Sequence, residues 1–228
     1  MKRAVSVSIG SSTRDKRVEI ELLGQRVVLE RIGTDGDMEK AAQLYRQLDG
    51  EVDAFGVGGA DLGLYIDGIY FPLHSVKPMI RYVQKTPVVD GSGLKHTLEA
   101  RLAPFLEAKL GAQIQPKRVL LTSALDRWGM ARSFIDAGYE FIIGDFMFGL
   151  GLPIPMRSVA LTKFLARILL PVIGRLPFEW IYPTGETQEK RTPKWGKYYA
   201  WAKVIAGDAH YIKRFMPENL EGKIIVTN

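Results

Sequence analysis

The chain contains no cysteine. That excludes a disulfide framework, a thiolate metal site and a cysteine nucleophile, and it fits a reducing compartment. Histidine is nearly as scarce. His74, His96 and His210 are the only three, they stand far apart, and their spacing matches no metal-ligand pattern, so no metal is expected. No block of basic residues is longer than three, and no nucleic-acid motif is found, so no nucleic-acid partner is expected. No internal repeat is found. Long uninterrupted apolar runs are missing as well. The most apolar stretch, 161–182, is interrupted by Lys163, Arg167 and Arg175 and broken by Pro171 and Pro177, which makes a spanning helix a poor reading. It is expected inside the protein or at a homodimer face, with peripheral membrane contact left open. The first residues alternate apolar and polar after Lys2-Arg3, as a strand does, so no signal peptide is read and a cytoplasmic location is expected.

What is present is an ordinary globular composition. Of 228 residues, 46% are hydrophobic and 25% charged, enough for a buried core in one large domain or two small ones. The net charge is +6 and the sequence pI about 9.4. With no nucleic-acid motif, the basic balance points to a small anionic ligand.

The pattern along the chain predicts strands near 5–9, 18–23, 27–31, 52–57, 86–89, 118–121, 140–143, 203–207 and 223–226. Gly24-Gln25 suits a tight turn. Asp67-Gly68 marks a hairpin between 64–66 and 69–71, because that pair tolerates positive φ. Helices are predicted from Met38 to Leu48, capped by Thr34 or Asp35, and over 76–84, 94–110, 126–137, 159–173 and 210–215. The polar stretch 183–196 reads as an exposed loop. Strands alternating with helices imply an α/β fold, Rossmann-like, with mainly parallel sheets and flanking helices. Two lobes are expected, 1–112 and 113–228. The chain ends directly after a strand-like run, which is read either as the last strand or as the end of a fragment lacking further elements.

Four segments could carry chemistry. Asp90-Gly91-Ser92-Gly93, with Lys95 after it, is a glycine loop between an apolar run and a helix start. Backbone N–H groups, glycines and the Lys95 cation there suit a phosphate at the edge of a cleft between the lobes. Gly56-Val57-Gly58-Gly59 precedes a hairpin rather than a helix, so it suits close backbone approach better than a dinucleotide. Thr122, Ser123, Arg127 and Gly129, followed by Asp145 after the next strand, form a degenerate nucleotide-binding unit in which Asp145 would hold a ribose. Ser8 to Lys16, with hydroxyls and two cations after a strand, suits an anion or a plain polar loop. Asp208 and His210 make the most plausible proton-transfer pair, against the bland alternative of a helix cap.

Gly33-Thr34-Asp35-Gly36-Asp37, the helix after it, and Phe55-Gly56-Val57-Gly58-Gly59-Ala60 resemble a stretch of the quinate/shikimate dehydrogenases, where an Asn-Thr-Asp-Gly segment precedes a Gly-Ala-Gly-Gly-Ala nucleotide loop. Nearly all of the chain resembles a thermophile-rich group of bacterial proteins named quinate 5-dehydrogenase, whose members continue beyond this C-terminus. The resemblance implies an NAD(P)-dependent dehydrogenase of a hydroxylated ring acid, with NAD or NADP as cofactor and Asp35 as a catalytic residue. The family's Asn-Val-Thr-x-Pro-x-Lys segment is absent, so only Lys95 can partner Asp35, by analogy of charge. Ser6-Val7-Ser8 matches the family's Ser-x-Ser motif only as a tripeptide. The other reading is a non-catalytic protein that binds a nucleotide or phosphate ligand, with membrane association through residues 161–180 left open.

Overall fold

The computed structural model describes residues 1–178 and 191–227. The chain divides into two units. The N-terminal unit comprises Met1–Leu64, Tyr70–Ser92 and residues 170–178; the C-terminal unit comprises Tyr65–Ile69, Gly93–Leu169 and residues 191–227. The sequence reading put the division near 112. The chain instead changes unit after Ser92, because residues 93–110 pack against later helices. Gly129 has no side chain to hold the Lys95 carbonyl away, and Ser133 Oγ accepts the Ala103 N–H at 2.9 Å.

In the N-terminal unit, β1 (Lys2–Ser8), β2 (Lys16–Leu22), β3 (Gln25–Gly33), β4 (Ala54–Gly58) and β7 (Val88–Val89) form a sheet in the order β2-β3-β1-β4-β7. All neighbours are parallel except β2 and β3. The β2–β3 turn lies at Leu23-Gly24, both at positive φ, one residue before the expected pair. The core lies on one face. Val5, Val7 and Ile9 of β1 and its loop meet Phe55 and Val57 of β4, and α1 (Met38–Leu48) covers them with Ala41 and Tyr45. Tyr45 is fully buried and its hydroxyl donates to the carbonyls of Val7 and Gly56, at 3.2 and 2.9 Å. Burial pushes that hydroxyl far above its ordinary range.

Two helices differ from the sequence expectation. The cap of α1 is Asp37, whose carboxylate accepts the Lys40 N–H at 2.8 Å, not Thr34 or Asp35. The helix expected over 76–84 is a single 3-10 turn, Lys77–Ile80. Its continuation is diverted by Asp49, whose carboxylate takes the N–H groups of Gln84, Lys85 and Thr86. The hairpin β5 (Gly63–Ile66) and β6 (Ile69–Pro72) turns at Asp67-Gly68, with φ of 48° and 79°.

The C-terminal unit holds a fully parallel sheet of β8 (Arg118–Leu121), β9 (Glu140–Ile143), β10 (Val204–Ala206) and β11 (Ile224–Val226) in the order β11-β10-β8-β9. Val119 to Leu121, Ile142, Ile143 and Val204 to Ala206 are all buried. Such unbroken burial means both sheet faces are covered. One cover is formed by α5 (Asp145–Phe148), α7 (Gly196–Trp201) and α8 (Ala209–Phe215), through Met147, Phe148, Tyr199, Ile212 and Phe215. The helix α4 (Trp128–Asp136) buries Met130, Ala131 and Phe134. The helix expected over 94–110 is broken into α2 (Ser92–Thr97), a 3-10 turn (Glu99–Arg101) and α3 (Leu102–Leu110).

The helix α6 (Val159–Ile173) forms over the expected residues, but only partly as an interior segment. Thr162, Ala166 and Leu170 are buried, while Leu161, Phe164, Ile168 and Val172 are exposed. Residues 179–182 of the apolar stretch and 183–190 of the expected loop lie outside the described residues. Gly196 opens α7 instead of closing that loop. Among the described residues, no helix is long and apolar enough to cross a membrane.

Candidate functional site

In open parallel sheets, ligands bind beyond the carboxyl ends of the strands, where the strand order reverses. Each unit has such a place. In the N-terminal unit the chain lays β3 on one side of β1 and β4 on the other. Ser8, the last residue of β1, pairs in register with Gly33 of β3 and Gly58 of β4. Glycine is required at Gly58, because a Cβ there would come within 2.6 Å of Ser8 Cβ.

The loop after β1 is locked to the loop after β3. The Asp35 and Gly36 N–H groups donate to the carbonyls of Gly10 and Ile9, and Thr34 N–H to that of Ser8. Asp35, at positive φ, accepts the Ser12 N–H at 2.7 Å, and that bond holds its carboxyl below the usual range. Asp35 is therefore a clamp between two loops. Its surroundings are the Ser11 and Ser12 hydroxyls and the Lys40 cation.

Arginines gather on the same loop. Arg31 Nη2 donates to Ser8 Oγ at 3.0 Å, and Arg31 Nη1 donates to the Ser11 carbonyl and to Asp15. Ser8 Oγ also accepts the Gly10 N–H at 3.2 Å. A Cβ on Gly10 would lie 2.6 Å from Arg14 Nη2 and 3.1 Å from Arg31 Nη2. Two guanidinium groups thus converge beside a residue with no side chain. Gly59, at φ +77°, is next to them; a Cβ on it would lie 3.4 Å from Ser8 Oγ. Arg31 is matched by Asp15. Arg14 is exposed and has no ion pair among the described residues. The arrangement supplies hydroxyl and guanidinium donors, and the Arg14 guanidinium has no carboxylate paired to it among the described residues. Donors of this kind can hold an oxyanion. Sequence reasoning found Arg14 within its motif but missed Arg31, whose strand position gave no hint of its reach to Ser8.

The glycine loop before α2 is arranged differently from expectation. Asp90 accepts the N–H groups of Leu62 and Ser92, at 2.8 and 3.1 Å. Burial alone would raise its carboxyl, but the Ser92 hydroxyl and those N–H groups outweigh it and hold the carboxyl down. Gly91 and Gly93 are exposed with open space beside them. Helix α2 has only six residues, so its positive end is weak. Lys95, expected as a solvent-facing cation, is 14% exposed and lies 2.7 Å from Asp126 in its own unit.

In the C-terminal unit the reversal lies between β8 and β10. Thr122 and Ser123 are buried. Thr122 Oγ1 donates to the Ala206 carbonyl and Ser123 Oγ accepts the Asp208 N–H. Arg127 is buried and pairs with Glu99 and Asp208, with Asp126 at 3.8 Å. Asp145 accepts the N–H groups of Ala124 and Leu125, at 3.0 and 2.9 Å, and burial pushes its carboxyl up to about 6. Gly129 serves helix packing: a Cβ on it would meet the Lys95 carbonyl oxygen at 2.2 Å. Asp208 caps α8 by accepting the His210 N–H, so the bland reading of that pair is the observed one. Among the described residues, Glu99, Asp126 and Asp208 pair with Arg127 or Lys95, and Asp145 lies close by with backbone N–H partners. This edge is acidic, which is the wrong sign for a pyrophosphate. Among the described residues, no group of His, Asp or Glu side chains is arranged to hold a metal ion.

Residues 93–228 match the family model described as a domain of unknown function, DUF8754, and residues 3–90 match a second such model, DUF8753. No curated protein and no solved structure matches the chain. The two matches meet where the chain changes unit, at residues 90–93. Since the first match covers well over half of the 228 residues, the chain belongs to the DUF8754 family.

Proposed function

We propose that this protein binds a small phosphate-bearing ligand at the carboxyl edge of its N-terminal sheet. The observation that carries this reading is the convergence of Arg14 and Arg31 beside Gly10, with only Arg31 matched by a carboxylate. The ligand's oxyanion would take the unbalanced charge of Arg14 and approach the glycine backbone at Gly10 and Gly59. The nearby carboxylates, Asp15 and Asp35, accept backbone N–H groups, so the site's chemistry is binding. A thermal-shift screen of inorganic phosphate, pyrophosphate, sugar phosphates, nucleotides, NAD and NADP tests it, because a ligand specific to the folded state raises the melting temperature. A rise with phosphate compounds that is absent with neutral sugars supports the reading. No rise with any of them removes it.

A second reading is an NAD(P)-dependent dehydrogenase of a quinate-like acid, with the cofactor on Thr122, Ser123, Arg127, Gly129 and Asp145. The parallel order of the C-terminal sheet favours it, since a Rossmann-like unit has this reversal. It ranks below the first because those five residues are engaged within the unit and their edge is acidic. A rise in melting temperature confined to NAD or NADP would reverse the ranking.

A further inference from the structure

A surface helix ordinarily turns charged residues outward and buries its apolar stripe. Helix α6 does otherwise. Its buried positions, Thr162, Ala166 and Leu170, follow one another at four-residue steps. On the opposite side Leu161, Phe164, Ile168 and Val172 are 48%, 58%, 52% and 62% exposed, and they form a continuous row at helical spacing. Leu150, Leu152 and Ile154, in the loop before the helix, are exposed as well. Isolated exposed apolar residues are normal, but a contiguous row marks an interaction surface.

The charge around the row identifies its partner. From Phe146 to Phe178 the sequence has no aspartate or glutamate, while it has Arg157, Lys163, Arg167 and Arg175. Lys163 is paired with Asp67. Arg157, Arg167 and Arg175 are exposed and make no ion pair among the described residues. A second copy would bring the same cations against one another across a shared helix face, with no acid on the segment to offset them. An anionic lipid surface matches both features, apolar side chains entering the acyl boundary and arginines meeting headgroups. At 15 residues, the helix is too short to span a bilayer, which takes about 20, but long enough to lie on one. We propose that α6 and the loop 150–154 dock the protein onto an anionic membrane surface.

The test is co-sedimentation of the full chain with phosphatidylcholine vesicles and with phosphatidylcholine/phosphatidylglycerol vesicles at physiological salt. Binding is expected to the second and not the first. Phe164→Glu with Ile168→Glu should lower the partition coefficient about tenfold or more, as should Arg167→Glu. These side chains are exposed, so the variants should keep the parent's melting temperature and circular dichroism. Three results would overturn the proposal: no sedimentation with either vesicle, binding that both variants leave intact, or a dimer in equilibrium sedimentation that the Phe164/Ile168 variant dissociates.

Discussion

Arg31 Nη1 rests 2.8 Å from Asp15 Oδ1, and the same oxygen accepts the Gly33 N–H at 2.6 Å. One carboxylate thus ties the loop after β1 to the end of β3 and neutralises one of the two arginines beside Gly10. Arg31 is then chiefly a structural residue. Arg31→Ala strips partners from Asp15, Ser8 and the Ser11 carbonyl together. Urea unfolding should show a loss of about 1–2 kcal/mol, in keeping with partly exposed charged hydrogen bonds. A variant as stable as the parent would mean that the loops hold together without it.

The buried Arg127 group makes a larger prediction. Arg127→Met leaves Glu99 and Asp208 without their cation, and breaking such a pair costs about 3–5 kcal/mol. Adding Glu99→Gln should recover part of the loss, since the uncompensated charge is then gone. Chemical denaturation of the single and double variants measures the coupling. If the double variant is no more stable than the single, the charge on Glu99 is not the reason for the loss.

Gly129 separates packing from cofactor binding. In Gly129→Ala the new methyl would collide with the Lys95 carbonyl oxygen, which is backbone and yields only if α2 and α4 part. A destabilisation of about 1–3 kcal/mol is expected, the range for overpacking. An unchanged melting midpoint would reopen the nucleotide reading of this glycine.

Asp145 predicts a pH dependence. Its folded carboxyl titrates near 6, above the ordinary value of 3.8. Between these values the folded state holds a proton that the unfolded chain has released. Stability from this group is therefore complete below about 4 and declines as pH rises to about 6. Carbon-13 detection of the Asp145 carboxyl checks the midpoint, and Asp145→Asn should remove that part of the slope. A midpoint near 4 would show that the Ala124 and Leu125 N–H groups offset burial in full.

How far the sequence led depended on whether the deciding contact was local. β8 and β9 were predicted to the residue because buried parallel strands read as unbroken apolar runs. The Asp67-Gly68 turn declared itself through residues that tolerate positive φ. The β2–β3 turn did not, because Leu23 adopts φ 53° while 96% exposed, and nothing about a leucine announces that. The helix over 94–110 was misread as continuous, since it is the reach of Glu99 to a distant arginine, Arg127, that accompanies the break. The site followed the same rule. Arg14 lies in the hydroxyl-rich loop and was visible. Arg31 was hidden, since its position is set by the register that pairs Ser6 with Arg31 and leaves Ser8 within its reach.

Arg14 is the cation on which pyrophosphate binding at the N-terminal sheet edge depends, and isothermal titration of pyrophosphate into the parent and Arg14→Ala tests this most directly. Because Arg14 is exposed and has no ion pair among the described residues, the variant should melt where the parent does. The parent should bind pyrophosphate, with affinity falling as salt rises. In the variant affinity should drop about tenfold or more, the worth of one charge-assisted contact. Identical isotherms for the two proteins, or a parent that binds no pyrophosphate at low salt, would contradict the assignment.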